Sequence, residues 1–160
     1  MTKRDRELIV ENILKRWRRL QEEVWAVEQD AANVAFGQGS GEPVQSSSLS
    51  DKTARGALML DGISEKRRWV DCITDAMRWL AEEQPDLQRL LFGHYWMDCA
   101  KGYKRSHARS FYMSYCKVYH ISHAEYHRRR LDALDELAFY AMEYGLLQSH
   151  TERRKTVLIS

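Results

Sequence analysis

Residues 120–137 read HISHAEYHRRRLDALDEL. The first half crowds His120, His123, His127 and three arginines around Glu125, and the second half turns apolar and acidic. Tyr126, Ala133, Leu134, Leu137, Ala138 and Ala141 recur at helical spacing, so one helix runs through both halves and ends at Gly145, a natural left-handed terminator. Its start is marked as well. Ser122 and Glu125 stand three apart as S-x-x-E, the spacing of a capping box in which each side chain satisfies the other residue's free backbone N–H, and Ile121 and Tyr126 suit the accompanying hydrophobic staple. A preceding apolar-periodic stretch from about 107 to 118, with Phe111, Tyr112, Tyr115 and Cys116 inward, makes a second helix a short turn away. Two helices joined in this way are the parts of a helix-turn-helix.

The charge pattern agrees. From Lys101 to Arg130 there are eight lysines and arginines against Glu125 alone. If Tyr126 points inward, His123, Ala124, His127 and Arg128 face outward together on the first turns, where a recognition helix meets base edges in the major groove. Arg128 suits bidentate donation to guanine, His123 or His127 a purine N7 or a phosphate, and Ala124 a thymine methyl. Arg129, Arg130, Lys117 and Arg105 are expected at phosphates, where they add affinity and register without reading sequence.

Upstream, Ile13, Trp17, Leu20, Val24, Val27, Ala31 and Val34 alternate in steps of four and three, the spacing of a seam that packs within the chain or against a second copy. The spacing predicts one long helix from about Arg4 to Phe36. Gly37–Ser50, GQGSGEPVQSSSLS, is aperiodic and rich in Gly and Ser, and reads as a mobile loop in which Ser50 caps a helix beginning at Asp51. A further stripe, Ile63, Val70, Ile73, Met77 and Leu80, predicts a helix over 63–82 lying against the first. Pro85 opens the next, whose buried face is Leu87, Leu90, Leu91, His94 and Tyr95. The fold class is all-α: a long N-terminal helix on a central helix, followed by a helix-turn-helix. The corresponding segments are 1–36 for packing or dimerisation, a 37–50 linker, a 51–83 central segment, an 84–147 DNA-binding domain and a 148–160 tail.

Hydrophobic residues make up 44% of the 160 and charged residues 30%, with no apolar run of membrane-spanning length or secretory pattern at the start, so a cytoplasmic protein is expected. Cys72, Cys99 and Cys116 are odd in number and lack C-x-x-C spacing, so they read as small core residues, not as a disulfide or zinc framework. Lys15, Arg16, Arg18 and Arg19 beside Trp17 would suit a membrane surface, but the seam accounts for Trp17 without lipid. His94, His107, Asp98 and Cys99 match no nucleophile, zinc or phosphate-loop motif, so no enzyme, metal or cofactor is expected.

CKVYHISHAEYHRRRLDALDELA, from Cys116, resembles the C-terminal motif of the RinA/ArpU-type phage regulators, and SSSLSDKTARGALML followed by RRWVDCITDAMRWL is similar to that family's middle segment. The two stretches stand in the family's order and together span about 46–145. The resemblance implies a helix-turn-helix of sigma-region-4 type and activation of late phage genes from a DNA site near the promoter; double-stranded DNA is the expected partner, with bacterial RNA polymerase and a second copy of the chain as further candidates. Departures are Arg129 at a position that is apolar or aromatic in the family, and His123 in place of an arginine. Other functions open to the same parts are antitermination on RNA polymerase and a small-terminase-like packaging adaptor.

Overall fold

The computed structural model describes residues 1–36 and 49–148. All its regular structure is helical: α1 (Lys3–Lys15), α2 (Trp17–Phe36), α3 (Leu49–Asp61), α4 (Ser64–Glu83), α5 (Pro85–Tyr95), α6 (Arg105–Tyr119) and α7 (His123–Glu143). The expected tail, from residue 149 on, and nearly all of the expected loop at 37–50 lie outside the described residues. The loop's last two positions do not: α3 begins at Leu49, so Ser50 stands in its first turn instead of capping it.

The expected single N-terminal helix is two. It breaks at Arg16, whose φ of −109° and ψ of 13° leave the helical region, and whose N–H turns back to the carbonyls of Ile13 and Leu14. The reason lies in what each half packs against. Val10 and Leu14 of α1 are fully buried where α1 lies on α7, whereas Val24 and Ala31 of α2 are buried where α2 lies on α3 and α4. A straight helix could not serve both surfaces, and Trp17, buried at the junction, belongs to the cluster that joins them. Along the predicted seam every second member (Trp17, Val24, Ala31) is buried within the chain, and Ile13, Leu20, Val27 and Val34 are half-buried. A Thr2–Asp5 capping box pins the start of α1.

One core joins the ends of the chain. Val10 and Leu14 meet Trp69, Cys72, Ile73, Ala76, Met77 and Leu80 of α4, Leu91 and Tyr95 of α5, and Ala133, Leu134, Leu137, Ala138 and Ala141 of α7. Each large apolar side chain so removed from water contributes about 1.5–3 kcal/mol. α7 ends as its sequence predicts: Gly145 has φ +67°, its N–H reaches the Met142 carbonyl at 2.9 Å and the Leu146 N–H reaches Ala141 at 2.8 Å. Cys72 and Cys116 are buried, Cys99 partly so, and all three are free thiols. No helix of the described residues is long and apolar enough to cross a membrane.

A second, smaller cluster holds α5, α6 and α7 together through Leu90, Tyr115, Cys116 and Tyr126, with Phe111, Tyr112 and Ile121 packed against it. Gly93 makes the α5–α6 approach possible. A Cβ there would stand 2.0 Å from the Phe111 ring, so the aromatic side chain occupies the space that any other residue would need. Gly93→Ala therefore reverses the usual preference for alanine in a helix: we expect a loss of about 1–3 kcal/mol from overpacking, read as a lower urea midpoint. A midpoint unchanged or raised would mean that Phe111 does not hold this position.

Candidate nucleic-acid interface

The turn between α6 and α7 is built from three residues. His120 takes the left-handed conformation at φ 52°, and both its N–H and that of Ile121 go to the Cys116 carbonyl, closing α6 without a glycine. Ser122 then caps α7, its hydroxyl accepting from the Glu125 N–H at 3.1 Å. The reciprocal arm expected of a capping box is absent. Glu125 instead accepts from Arg128 at 2.7 and 2.9 Å and from Arg129 at 3.1 Å, and these hydrogen bonds hold its carboxyl down at about 2. Three charge-assisted bonds from two guanidinium groups outcompete one bond from a backbone N–H that water can satisfy.

Tyr126 sets the rotation of α7. Its ring is fully buried, edge-on to Tyr112 at 4.7 Å and to Tyr115 at 5.5 Å, and its hydroxyl lies 2.8 Å from Nδ1 of His94 on α5. With Tyr126 turned in, His123, Ala124, His127 and Arg128 are all exposed on one side of α7, as its periodicity predicts. Tyr112 reaches from α6 to both imidazoles, its ring centroid 4.7 Å from His123 and 5.6 Å from His127, so the two histidines are steadied from below. Sequence reading left Tyr112 as an inward residue only; its i, i+4 offset from Cys116 gave no hint of this second contact.

The three arginines of α7 are not equivalent. Arg128 is 64% exposed and pairs with Glu125 and, at 3.3 Å, with Asp132. Arg129 is half-buried beside Glu125. Arg130, expected at a phosphate, is turned away from the exposed first turns: it is 17% exposed, and it donates to Glu11 of α1 at 2.7 Å and to the Tyr95 hydroxyl at 3.0 Å. At 100° per residue, two positions beyond Arg128 lies the far side of the helix, where α1 supplies the acid. Burial opposes the charge on Glu11, yet Arg130 and Lys15, with the Tyr95 hydroxyl, outweigh it and hold the carboxyl below its ordinary range. Sequence reading missed Glu11 and Tyr95 because their partner lies 119 and 35 residues away respectively.

α6 has the opposite character. Arg105, Arg109 and Lys117 are exposed, none has an ion pair among the described residues, and the helix contains no acid. Lys117 and Arg105 are thus positioned as free surface cations, at opposite ends of α6. The pairing of every α7 arginine with an acid, and of none on α6, leaves α6 as the carrier of unneutralised charge.

His94 links this surface to the fold. Burial, reinforced by Arg130 and opposed by Glu11, pushes its imidazole down to about 4 from 6.5. The unfolded chain therefore binds a proton that the folded chain refuses between those values, and stability falls as pH drops from about 6.5 towards 4. We expect His94 to account for up to about 3 kcal/mol of acid destabilisation over that window, measured as the difference between wild-type and His94→Gln urea midpoints from pH 7 to 4. Parallel profiles would assign the acid sensitivity to other groups. Comparison with protein-family models, with curated proteins and with solved structures finds no match to this chain.

Proposed function

We propose that this protein is a sequence-specific DNA-binding transcriptional activator, with α6 and α7 acting as a helix-turn-helix of sigma-region-4 type and α7 as the recognition helix. The observation that carries the reading is the common exposure of His123, Ala124, His127 and Arg128 on the capped first turns of α7, at a rotation fixed by buried Tyr126. Four side chains of complementary chemistry, two imidazoles, a methyl and a guanidinium, then face the base edges of one major-groove segment. The resemblance of Cys116–Ala138 to the RinA/ArpU-type regulators supports late phage genes as the target.

In the free protein Arg128 is held by Glu125 and Asp132. Exposed pairs of this kind are weak, so guanine O6 and N7 can take over the guanidinium at small cost. Arg105 and Lys117 supply phosphate contacts from α6, and Arg129 joins them on leaving Glu125. RNA polymerase is the protein partner of such an activator, and the exposed Met113 and Val118 on α6 offer apolar surface for a protein contact. A homodimer through the N-terminal helices would use the exposed Trp25 of α2.

Footprinting on DNA from the protein's own genetic neighbourhood, at two salt concentrations, tests the reading. Protection of a discrete site is the expected result, and protection of none at modest ionic strength rejects it. On that site Arg128→Ala should weaken specific binding roughly 5- to 150-fold and relax preference at one base pair. Equal weakening on every sequence would move Arg128 to the phosphate group of contacts. Lys117→Ala should lower the slope of log affinity against log salt by about one unit with sequence preference intact. An unaltered slope removes Lys117 from the contact set.

A further inference from the structure

A groove of about 770 Å³ runs between α6 and α7, with Arg105, Ser106, Arg109 and Tyr112 of α6 on one side and His127 and Arg130 of α7 on the other. We infer that it is a binding site for a phosphate ester, and, resting on the DNA-binding reading, that it takes a backbone phosphodiester flanking the bases that α7 reads. Arg109 and Ser106 are the residues this adds to the interface.

Three observations carry the inference. First, the charge lining the groove is unbalanced. Its only acid, Glu11, is already bound by Arg130 at 2.7 Å and by Lys15 at 3.5 Å, so nothing in the groove neutralises Arg105 or Arg109. Second, those two arginines stand four apart on one helix, which makes them neighbours on its surface and mutually repulsive in the free protein. An anion between them turns that repulsion into two charge-assisted hydrogen bonds, and planar guanidinium is the side chain best matched to phosphate oxygens. Third, the groove adjoins the reading face. His127 belongs to both, and Tyr112, which lines the groove, packs against His123 and His127. A strand whose bases meet α7 would carry its phosphates past the first half of α6, the position in which the leading helix of such a pair crosses the backbone.

The phosphate could also belong to a free nucleotide, and the test separates the two sources. Binding of a mixed-sequence duplex is measured against salt for the full chain and for Arg109→Ala, and the ring NMR signals of Tyr112 and His127 are followed during titration with thymidine monophosphate, with sodium chloride at matched ionic strength as control. Arg109 is exposed and has no ion pair among the described residues, so its variant should melt with the wild type. We expect the salt slope to fall by about one unit in Arg109→Ala, and the ring signals to shift saturably with the nucleotide in the wild type but not in the variant. A duplex-binding protein whose slope and ring signals ignore the substitution keeps the DNA reading and loses this groove. Saturable nucleotide shifts in a protein that ignores duplex keep the groove, give it a free nucleotide, and remove the DNA reading. Shifts that chloride reproduces overturn the site.

Discussion

The burial of one aromatic ring governs what α7 can present. Tyr126 is a side chain with a polar end, and it is enclosed only because α5 brings His94 to its hydroxyl while α6 brings Tyr112 and Tyr115 to its ring. Rotating α7 by one residue would expose the ring, strand the hydroxyl away from its partner and drive His127 into the cluster, each a cost of a kcal/mol or more. The helix is therefore held at a single rotation. The identity of the residues facing solvent on its first turns follows from that constraint, not from anything those residues do themselves. Gly93 belongs to the same device, since without its missing side chain Phe111 could not seat and α6 would stand off from α5.

Charge is distributed in two distinct ways across the same surface. On α7, guanidinium groups are stored against acids: Arg128 and Arg129 share Glu125, and Arg130 is locked to Glu11. On α6, which contains no acid, they have no ion pair among the described residues. On the proposed DNA-binding reading, the storage of Arg128 and the bareness of α6 suit two kinds of contact. A residue that reads a base edge benefits from being held in a defined pose, because fewer rotamers are lost on binding, and an exposed partner is readily exchanged. A residue that binds phosphate through long-range attraction gains most when no internal acid cancels its field.

Much of the fold was legible in the sequence because its signals are local. Helix periodicity, the Pro85 start, the Gly145 stop, the Ser122 cap and the inward Tyr126 each depend on residues within a turn or two of one another, and each is found where the pattern put it. The choice of outward residues on α7 needed only one fixed point, and Tyr126 supplied it. What escaped is what depends on distant segments. The break at Arg16 reflects two packing partners that a heptad pattern does not distinguish, and the apolar spacing continues through it unaltered. Arg130 lies on the side of α7 that meets α1, where Glu11 waits 119 residues away in sequence, so an RRR run reads as one basic patch although its third member is held by the body of the protein. Glu125 differs for a local reason: S-x-x-E names a possible partner for the carboxylate, but the two arginines that follow at i+3 and i+4 bind it more strongly.

The Glu11–Arg130–Tyr95 cluster also says how the two ends of the chain depend on one another. α1 and α7 share a core through Val10, Leu14, Ala133, Leu134 and Leu137, and the hydrophobic attraction there, being non-directional, opposes small axial slips less sharply than directional bonds do. A planar guanidinium bonded at once to a carboxylate on α1 and a hydroxyl on α5 opposes them sharply, because sliding α7 by even one residue breaks both bonds in a setting where unpaired charge is costly. Hydrophobic packing thus supplies the adhesion, and this ion pair the register. It lies only two residues beyond Arg128, so the axial position of the exposed first turns is fixed by an acid at the opposite end of the sequence.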